Sequence, residues 1–250
     1  MEETPLLPAV TTPEPRTLLG SFNELLIQPL ALVERSRGPS SPAPVRLLAG
    51  SFLGYALYGV AAGFFQGGSQ ILVTAVKAPL ILALTLLLCV PSLYVFSSLA
   101  GARWTARSFF AVVAGFAGIL SLLMAALLPI SWLFSVSSRY LGSVVWLHVV
   151  LWLLALVIGW RFLGRVLAHV GARGLGLWLL LFALVSFQAV TFLRPVLQRA
   201  PGEPIFRMGE KMFFLEHLGK AVDPDEDKKD AGTSAEAPKK APVEKGASGR

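Results

Sequence analysis

Acidic residues are missing from most of this sequence, since no Asp or Glu lies between Glu34 and Glu203. Proton carriage inside a membrane and acid–base or metal chemistry on lipid phosphates usually need carboxylates. Cys89 is the only cysteine and the three histidines are far apart, so a metal cluster is not expected. The sequence also contains no glycine-rich phosphate loop and no serine nucleophile elbow. These absences predict a protein that is not an enzyme and holds no metal or cofactor.

Long apolar runs dominate what the sequence does contain. Charged residues make up 15% of the chain and apolar residues 54%, whereas soluble domains carry about 25% charged residues. Five runs are each long enough to cross a hydrocarbon core of about 30 Å as a helix. They lie near residues 47–66, 78–100, 108–130, 144–163 and 174–193. The sequence therefore predicts an all-α, polytopic membrane helical bundle with five transmembrane helices over residues 46–194.

Segments of a different character flank these runs. Residues 1–16 are rich in proline and residues 222–250 consist mostly of small and charged residues, so both segments are expected to be disordered. Residues 17–45 are expected to hold an amphipathic helix and a linker. The pattern leaves two positions open for this helix, either on the membrane surface or on the protein's own spans. A second amphipathic helix within residues 195–221 is predicted to cap the bundle or to lie in the interface.

Positive charges between the runs are concentrated on the side of the N-terminus. The arginines there, predicted to bind anionic lipid headgroups, are Arg35, Arg37, Arg46, Arg103, Arg107, Arg161, Arg165 and Arg173. The opposite side has Lys77 and Arg139 in its loops. The composition is typical of a bacterial protein, and the positive-inside rule predicts an inner-membrane protein with a cytoplasmic N-terminus and an external C-terminus. A basic surface with stacking aromatics is absent, so nucleic acid is not an expected partner.

Polar residues in or near the runs are the candidates for an intramembrane function. They are Lys77, Pro91, Ser92, Tyr94, His148 and Gln188. Each also has a structural interpretation: Lys77 can snorkel at the start of the second span, the proline can form a packing kink, and His148 can make a structural hydrogen bond. The combination that would suit an intramembrane enzyme is His148 beside Cys89, Ser92 or Tyr94.

Several short motifs resemble those of known membrane proteins. Residues 77–80 (Lys-Ala-Pro-Leu), 89–96 (Cys-Val-Pro-Ser-Leu-Tyr-Val-Phe) and 193–195 (Leu-Arg-Pro) resemble a group of uncharacterised bacterial multi-span proteins. The order of a proline-containing helix, a linker and five spans distantly resembles the Ypt-interacting-protein (Yip) domain superfamily. The acidic Asp-Leu-Tyr-Gly-Pro signature of that superfamily is missing here. The resemblance therefore implies its topology and non-enzymatic character, and not its binding of small GTPases.

Two functional hypotheses follow. The first is a non-enzymatic integral membrane scaffold or accessory subunit that organises lipids or partner proteins, with a membrane protein or a second copy of the chain as its partner. The second is a small oligomeric transporter or channel, whose path would be lined by Lys77, Tyr94, His148 and Gln188. A continuous polar cavity formed by these side chains would favour the second hypothesis, and a dry, packed bundle would favour the first.

Overall fold

The computed structural model describes residues 16–36, 41–172 and 176–193, and all regular secondary structure in these residues is helical. The helices are α1 (Leu18–Ile27), α2 (Pro29–Arg35), α3 (Ala43–Gly63), α4 (Gln70–Leu99), α5 (Ala106–Ala126), α6 (Leu128–Ser137), α7 (Leu141–His169) and α8 (Gly176–Phe192). Within the described residues, α3, α4, α5 and α7 are long and apolar enough to cross a membrane. The predicted all-helical bundle is confirmed at this level, and the count of five crossings stays a prediction.

Several predicted features lie outside the described residues. They are most of the N-terminal segment 1–16, the capping segment 195–221, the tail 222–250, and the two arginines Arg37 and Arg173.

The helix boundaries differ from the predicted runs at three places. α4 begins at Gln70 instead of near residue 78. The run predicted over 108–130 is divided into α5 and the short α6, with the break just before Pro129. α7 continues to His169. An apolar run marks only the part of a helix that can lie in hydrocarbon. α4 and α7 continue past their runs and are therefore longer than predicted. The other two helices lie within a few residues of their predicted runs.

α3 is the central helix and packs against α1, α4, α5 and α6. Its glycines allow this close packing. A Cβ added at Gly59 would lie 2.5 Å from the Thr74 carbonyl oxygen, and one added at Gly63 would lie 2.7 Å from the Ile71 Cα. Both obstacles are backbone atoms of α4, so no side-chain movement could relieve the clash. The tight α3–α4 hairpin therefore requires glycine at these two positions.

The N-terminal helix is broken before Pro29 into α1 and α2. Leu25 of α1 is buried against α5, where a Cβ added at Gly115 or Gly118 would lie 3.2 Å or 2.9 Å from its methyl carbons. Ile27 points away from the bundle and is exposed. The helix pair thus packs on the protein's own long helices through one face. Its other apolar side chains form part of the outer surface.

Aromatic side chains fill the middle of the bundle. Phe116 of α5 makes edge-on contacts with Trp178 and Phe182 of α8, with ring centroids 5.8 Å and 5.1 Å apart. A Cβ added at Gly159 of α7 would lie 3.0 Å from the Phe116 ring, so α7 approaches it from another direction. The three aromatic residues are almost completely buried. This aromatic layer joins α5, α7 and α8 into one core.

Candidate functional site

Many buried hydroxyl groups in the long helices bond to the backbone of their own helix. Ser51, Thr74 and Thr85 each donate to the carbonyl oxygen four residues earlier, at 2.7, 2.9 and 2.8 Å. Such bonds satisfy a hydroxyl without a partner on another helix. Bonds between helices are also present, from Ser121 to the Ser51 carbonyl at 3.0 Å and from Ser186 to Thr85 at 3.3 Å. These polar groups therefore contribute to helix formation and packing.

Lys77 occupies a different environment from the one predicted. A snorkelling lysine would hold its ammonium in the interface, but the Lys77 side chain is only 1% exposed. Gln70 and Thr74 are buried on the same face of α4, since the three residues follow the helical spacing. Further along α4, the buried face is largely apolar at Leu82 and Leu86. Thr85 adds one more buried hydroxyl along this face, so its polar groups are most densely placed at the end that holds Gln70, Thr74 and Lys77.

Pro91 lies at a junction between α4 and α8. Its nitrogen cannot donate a hydrogen bond, which disturbs the helix backbone nearby. The Cys89 carbonyl oxygen accepts two side-chain hydrogen bonds, from Ser92 Oγ at 2.7 Å and from Trp178 Nε1 at 3.1 Å. The α4 helix continues without interruption through Pro91, which is itself exposed. Ser92 therefore bonds within α4, and the Cys89 carbonyl is the group that attaches α8 to α4.

Tyr94 and Gln188 lie on the outer surface of the bundle. Tyr94 is 46% exposed, and one side of its ring packs edge-on against Phe109 with centroids 5.1 Å apart. Gln188 is exposed on α8. Because Lys77 is buried inside the bundle, these three residues do not line a common path within one chain.

His148 connects three helices. Its Nδ1 lies 2.7 Å from the Val144 carbonyl oxygen, which can only accept, so Nδ1 carries the proton. Nε2 of the neutral ring then accepts from Ser131 Oγ of α6 at 3.1 Å. The ring of Tyr58 of α3 packs edge-on against the imidazole, with centroids 5.6 Å apart. The structural role predicted for His148 thus involves partners on α3 and α6.

Two further buried hydroxyl groups lie on the helices that contact His148. The Tyr58 hydroxyl approaches Ser131 with poor hydrogen-bond geometry, and Ser135 Oγ lacks a partner among the described residues. Ser135 lies one turn along α6 from Ser131, on the same buried face. The sequence pattern indicated His148 but not the hydroxyl groups of Tyr58, Ser131 and Ser135. The four-residue spacing of the two serines next to Pro129 is the signal that could have indicated them.

The structure does not form the nucleophile–base combination considered from the sequence. Tyr94 packs against Phe109 in the first turn of α5, at one end of the bundle. His148 packs against Tyr58, near the last turn of α3 at the opposite end. Ser92 bonds with the Cys89 carbonyl, which also accepts a hydrogen bond from Trp178 of α8. None of these three candidate nucleophiles therefore contacts the imidazole.

Five arginines of the bundle gather at one end, whereas Arg139, between α6 and α7, lies at the other end. Arg46 lies near the start of α3, Arg103 and Arg107 flank the start of α5, and Arg161 and Arg165 lie in the last turns of α7. All except Arg46 have exposed side chains. α3 and α5 begin at the end of the bundle where α4 and α7 finish, so these charges form one basic end. This arrangement can contact anionic headgroups.

Arg35, predicted to bind headgroups, forms an ion pair instead. Its Nη1 lies 2.7 Å from Glu24 Oε1, and both side chains are largely buried. This pair joins α2 to α1 across the break at Pro29. The interaction therefore fixes the angle between the two N-terminal helices.

No protein-family model, no curated protein and no solved structure matches this chain. The fold and the polar groups define a helical bundle of the membrane class. The resemblance to the Yip superfamily stays a prediction.

Proposed function

We propose that this protein is a non-enzymatic integral membrane scaffold or accessory subunit that organises lipids or partner proteins. The observation that supports this most directly is the layer of Phe116, Trp178 and Phe182 across the middle of the bundle. A polar path through one chain would have to pass this layer. Tyr94 and Gln188, by contrast, present polar groups on the outer surface, where a neighbouring membrane helix could bond to them.

The proposed orientation has five crossings in a bacterial inner membrane. α8 supplies the fifth crossing, and its contacts with α4 run antiparallel, from Trp178 with Cys89 to Ser186 with Thr85. The basic end of the bundle faces the cytoplasm by the positive-inside rule. The N-terminus then lies inside, and the C-terminus outside.

Anionic lipids are the first class of partner in this proposal. Arg161 and Arg165 are exposed one turn apart on α7, and the exposed side chains before them, at Val157 and Ile158, are apolar. Acyl chains can lie along this apolar face while a phosphate contacts the guanidinium groups. Each basic residue close to an anionic surface contributes about 1 kcal/mol of attraction.

A photo-crosslinking experiment in native membranes tests the proposal of a protein partner. A photoreactive amino acid is placed at Tyr94 or Gln188, which are exposed, and at the buried Leu93 as the matched control. We expect both outer positions to crosslink one reproducible polypeptide, identified by mass spectrometry as another membrane protein or a second copy. Crosslinks to lipid alone from both positions would reject the partner-protein function.

A small oligomeric transporter or channel is the second candidate function. The buried Lys77 and the His148 cluster at one end of the bundle favour it. Solute flux into liposomes that contain the purified protein tests this alternative. Flux that is lost in the Lys77→Met variant, while the variant remains folded, would favour transport over the scaffold.

A further inference from the structure

Polar side chains of three helices meet at the end of the bundle opposite the basic end. Tyr58 lies five residues before the last residue of α3, and Ser131 lies six residues before the last residue of α6. His148 lies seven residues after the first residue of α7. At a rise of about 1.5 Å per residue, this distance is roughly 8–10 Å. The three residues therefore lie at one level of the bundle, in agreement with their direct contacts.

The hydrogen bonds at this level leave a defined set of unused groups. The proton on His148 Nδ1 is directed to Val144, and the Ser131 hydroxyl proton is directed to His148 Nε2. Ser131 Oγ keeps a lone pair, because a hydroxyl oxygen can accept as well as donate. The buried Tyr58 hydroxyl reaches Ser131 only with poor hydrogen-bond geometry, and the buried Ser135 hydroxyl has no partner among the described residues. Ser131 and these two hydroxyl groups thus keep hydrogen-bonding capacity that the described residues do not fill.

Buried polar groups without a partner are rare, and an ordered water molecule commonly satisfies them. The groups here also indicate which ligand fits. Hydroxyl groups can donate and accept, which suits a small uncharged molecule with both capacities. Ca²⁺ and Mg²⁺ are usually held with the help of carboxylates, and the sequence has none between Glu34 and Glu203. The chemistry of the lining therefore selects water or a molecule like it.

We propose that Tyr58, Ser131 and Ser135 form a buried binding site for water at the junction of α3, α6 and α7. The bound molecule donates to Ser131 Oγ and accepts from the hydroxyl groups of Tyr58 and Ser135. His148 is a positioning residue, since its fixed tautomer orients the Ser131 hydroxyl. The site is independent of whether the outer surface binds a partner protein.

Hydroxyl-radical footprinting of the purified full-length protein tests this proposal. Radicals generated from water by a short X-ray pulse modify a buried tyrosine efficiently when an ordered water molecule lies next to it. Tyr55 is the matched internal control, since it lies one turn earlier on α3 and is 6% exposed, compared with 8% for Tyr58. We expect Tyr58 to be modified several-fold faster than Tyr55. Equal rates for the two tyrosines would overturn the proposal.

Two conservative variants provide an independent measurement. Tyr58→Phe and Ser135→Ala each remove one hydroxyl group and change little else. If water satisfies these groups, each variant loses a hydrogen bond and its melting temperature in detergent falls. If the groups are dry, removing a buried polar group without a partner raises the melting temperature, and that result would contradict the proposal. Footprinting of His148→Phe should show slower modification of Tyr58, because the Ser131 hydroxyl is no longer oriented.

Discussion

Trp178 donates its indole N–H to the carbonyl oxygen of Cys89, at 3.1 Å. The two residues are far apart in the chain, on α8 and α4, and both side chains are buried. The bond also lies two residues before Pro91, where the backbone of α4 lacks a donor. A single contact thus satisfies a buried indole and attaches the last described helix to the bundle.

Replacing Trp178 with phenylalanine should weaken this attachment. The substitution removes the hydrogen bond, and the carbonyl keeps its bond from Ser92, so we expect a loss of about 1 kcal/mol in the free energy of unfolding. Cys89 is the only cysteine and is buried. Its reaction with a thiol-reactive fluorescent dye during heating therefore reports unfolding directly, and the dye should react at a lower temperature in the Trp178→Phe variant.

Trp132→Phe is the matched control, because the Trp132 side chain is exposed on α6. Its dye reaction should follow that of the unsubstituted protein. If both variants lower the temperature of the dye reaction equally, the hydrogen bond between α8 and α4 does not contribute specifically to the stability of the bundle.

Adding one methyl group at Gly59 should destabilise the bundle strongly. In the Gly59→Ala variant, the new Cβ would lie 2.5 Å from the Thr74 carbonyl oxygen, so α3 and α4 must move apart. Overpacking of this kind costs about 1–3 kcal/mol. Thermal unfolding followed through Cys89 measures the effect.

Gly164→Ala provides the comparison for this substitution. Gly164 lies in α7, and an added Cβ meets no atom within 4 Å. Alanine favours the helix over glycine by up to about 1 kcal/mol, so this variant should be as stable as the unsubstituted protein or more so. Similar destabilisation by both alanines would indicate that close helix approach is not what requires Gly59.

The ion pair between Glu24 and Arg35 should hold α1 and α2 against the bundle. In the Glu24→Ala variant, the largely buried Arg35 loses this ion pair, at a cost between about 1 and about 3 kcal/mol. We expect faster trypsin cleavage after Arg35, measured by mass spectrometry of the native protein in detergent. The exposed Asn23 supplies a neighbouring control: if Asn23→Ala accelerates cleavage as much as Glu24→Ala, the ion pair is not responsible.

The proposed orientation predicts opposite labelling of two connections. Single cysteines are introduced as Arg103→Cys, between α4 and α5, and Arg139→Cys, between α6 and α7, with Cys89→Ser in both variants. Both arginines are exposed. With the N-terminus in the cytoplasm, a membrane-impermeant maleimide should label only the Arg139→Cys variant in intact spheroplasts. If only the Arg103→Cys variant is labelled before permeabilisation, the proposed orientation is reversed. If both variants are labelled equally, the two connections do not lie on opposite sides of the membrane.

The apolar runs predicted the approximate positions of the long helices, although α4 and α7 extend beyond their runs. Uninterrupted apolar sequence has few alternatives to a helix in lipid, because every backbone polar group must bond within its own segment. The break between α5 and α6 was missed because apolar residues continue on both sides of Pro129, although a proline commonly stands in the first turn of a new helix. The polar candidates were identified by residue type alone, and the structure separates them: Lys77 is buried, whereas Tyr94 and Gln188 are exposed.

The sequence by itself determined the class of this protein, an all-helical bundle of membrane type with one basic end. The tertiary structure decided which side of each helix faces inward. In α8, Trp178 and Phe182 are buried while Leu177 and Leu180 are exposed, although all four side chains are apolar. A helix that is apolar on every side has no amphipathic period from which to infer its buried face. Only the packing of neighbouring helices, through Phe116 and the glycines of α3, selects that face.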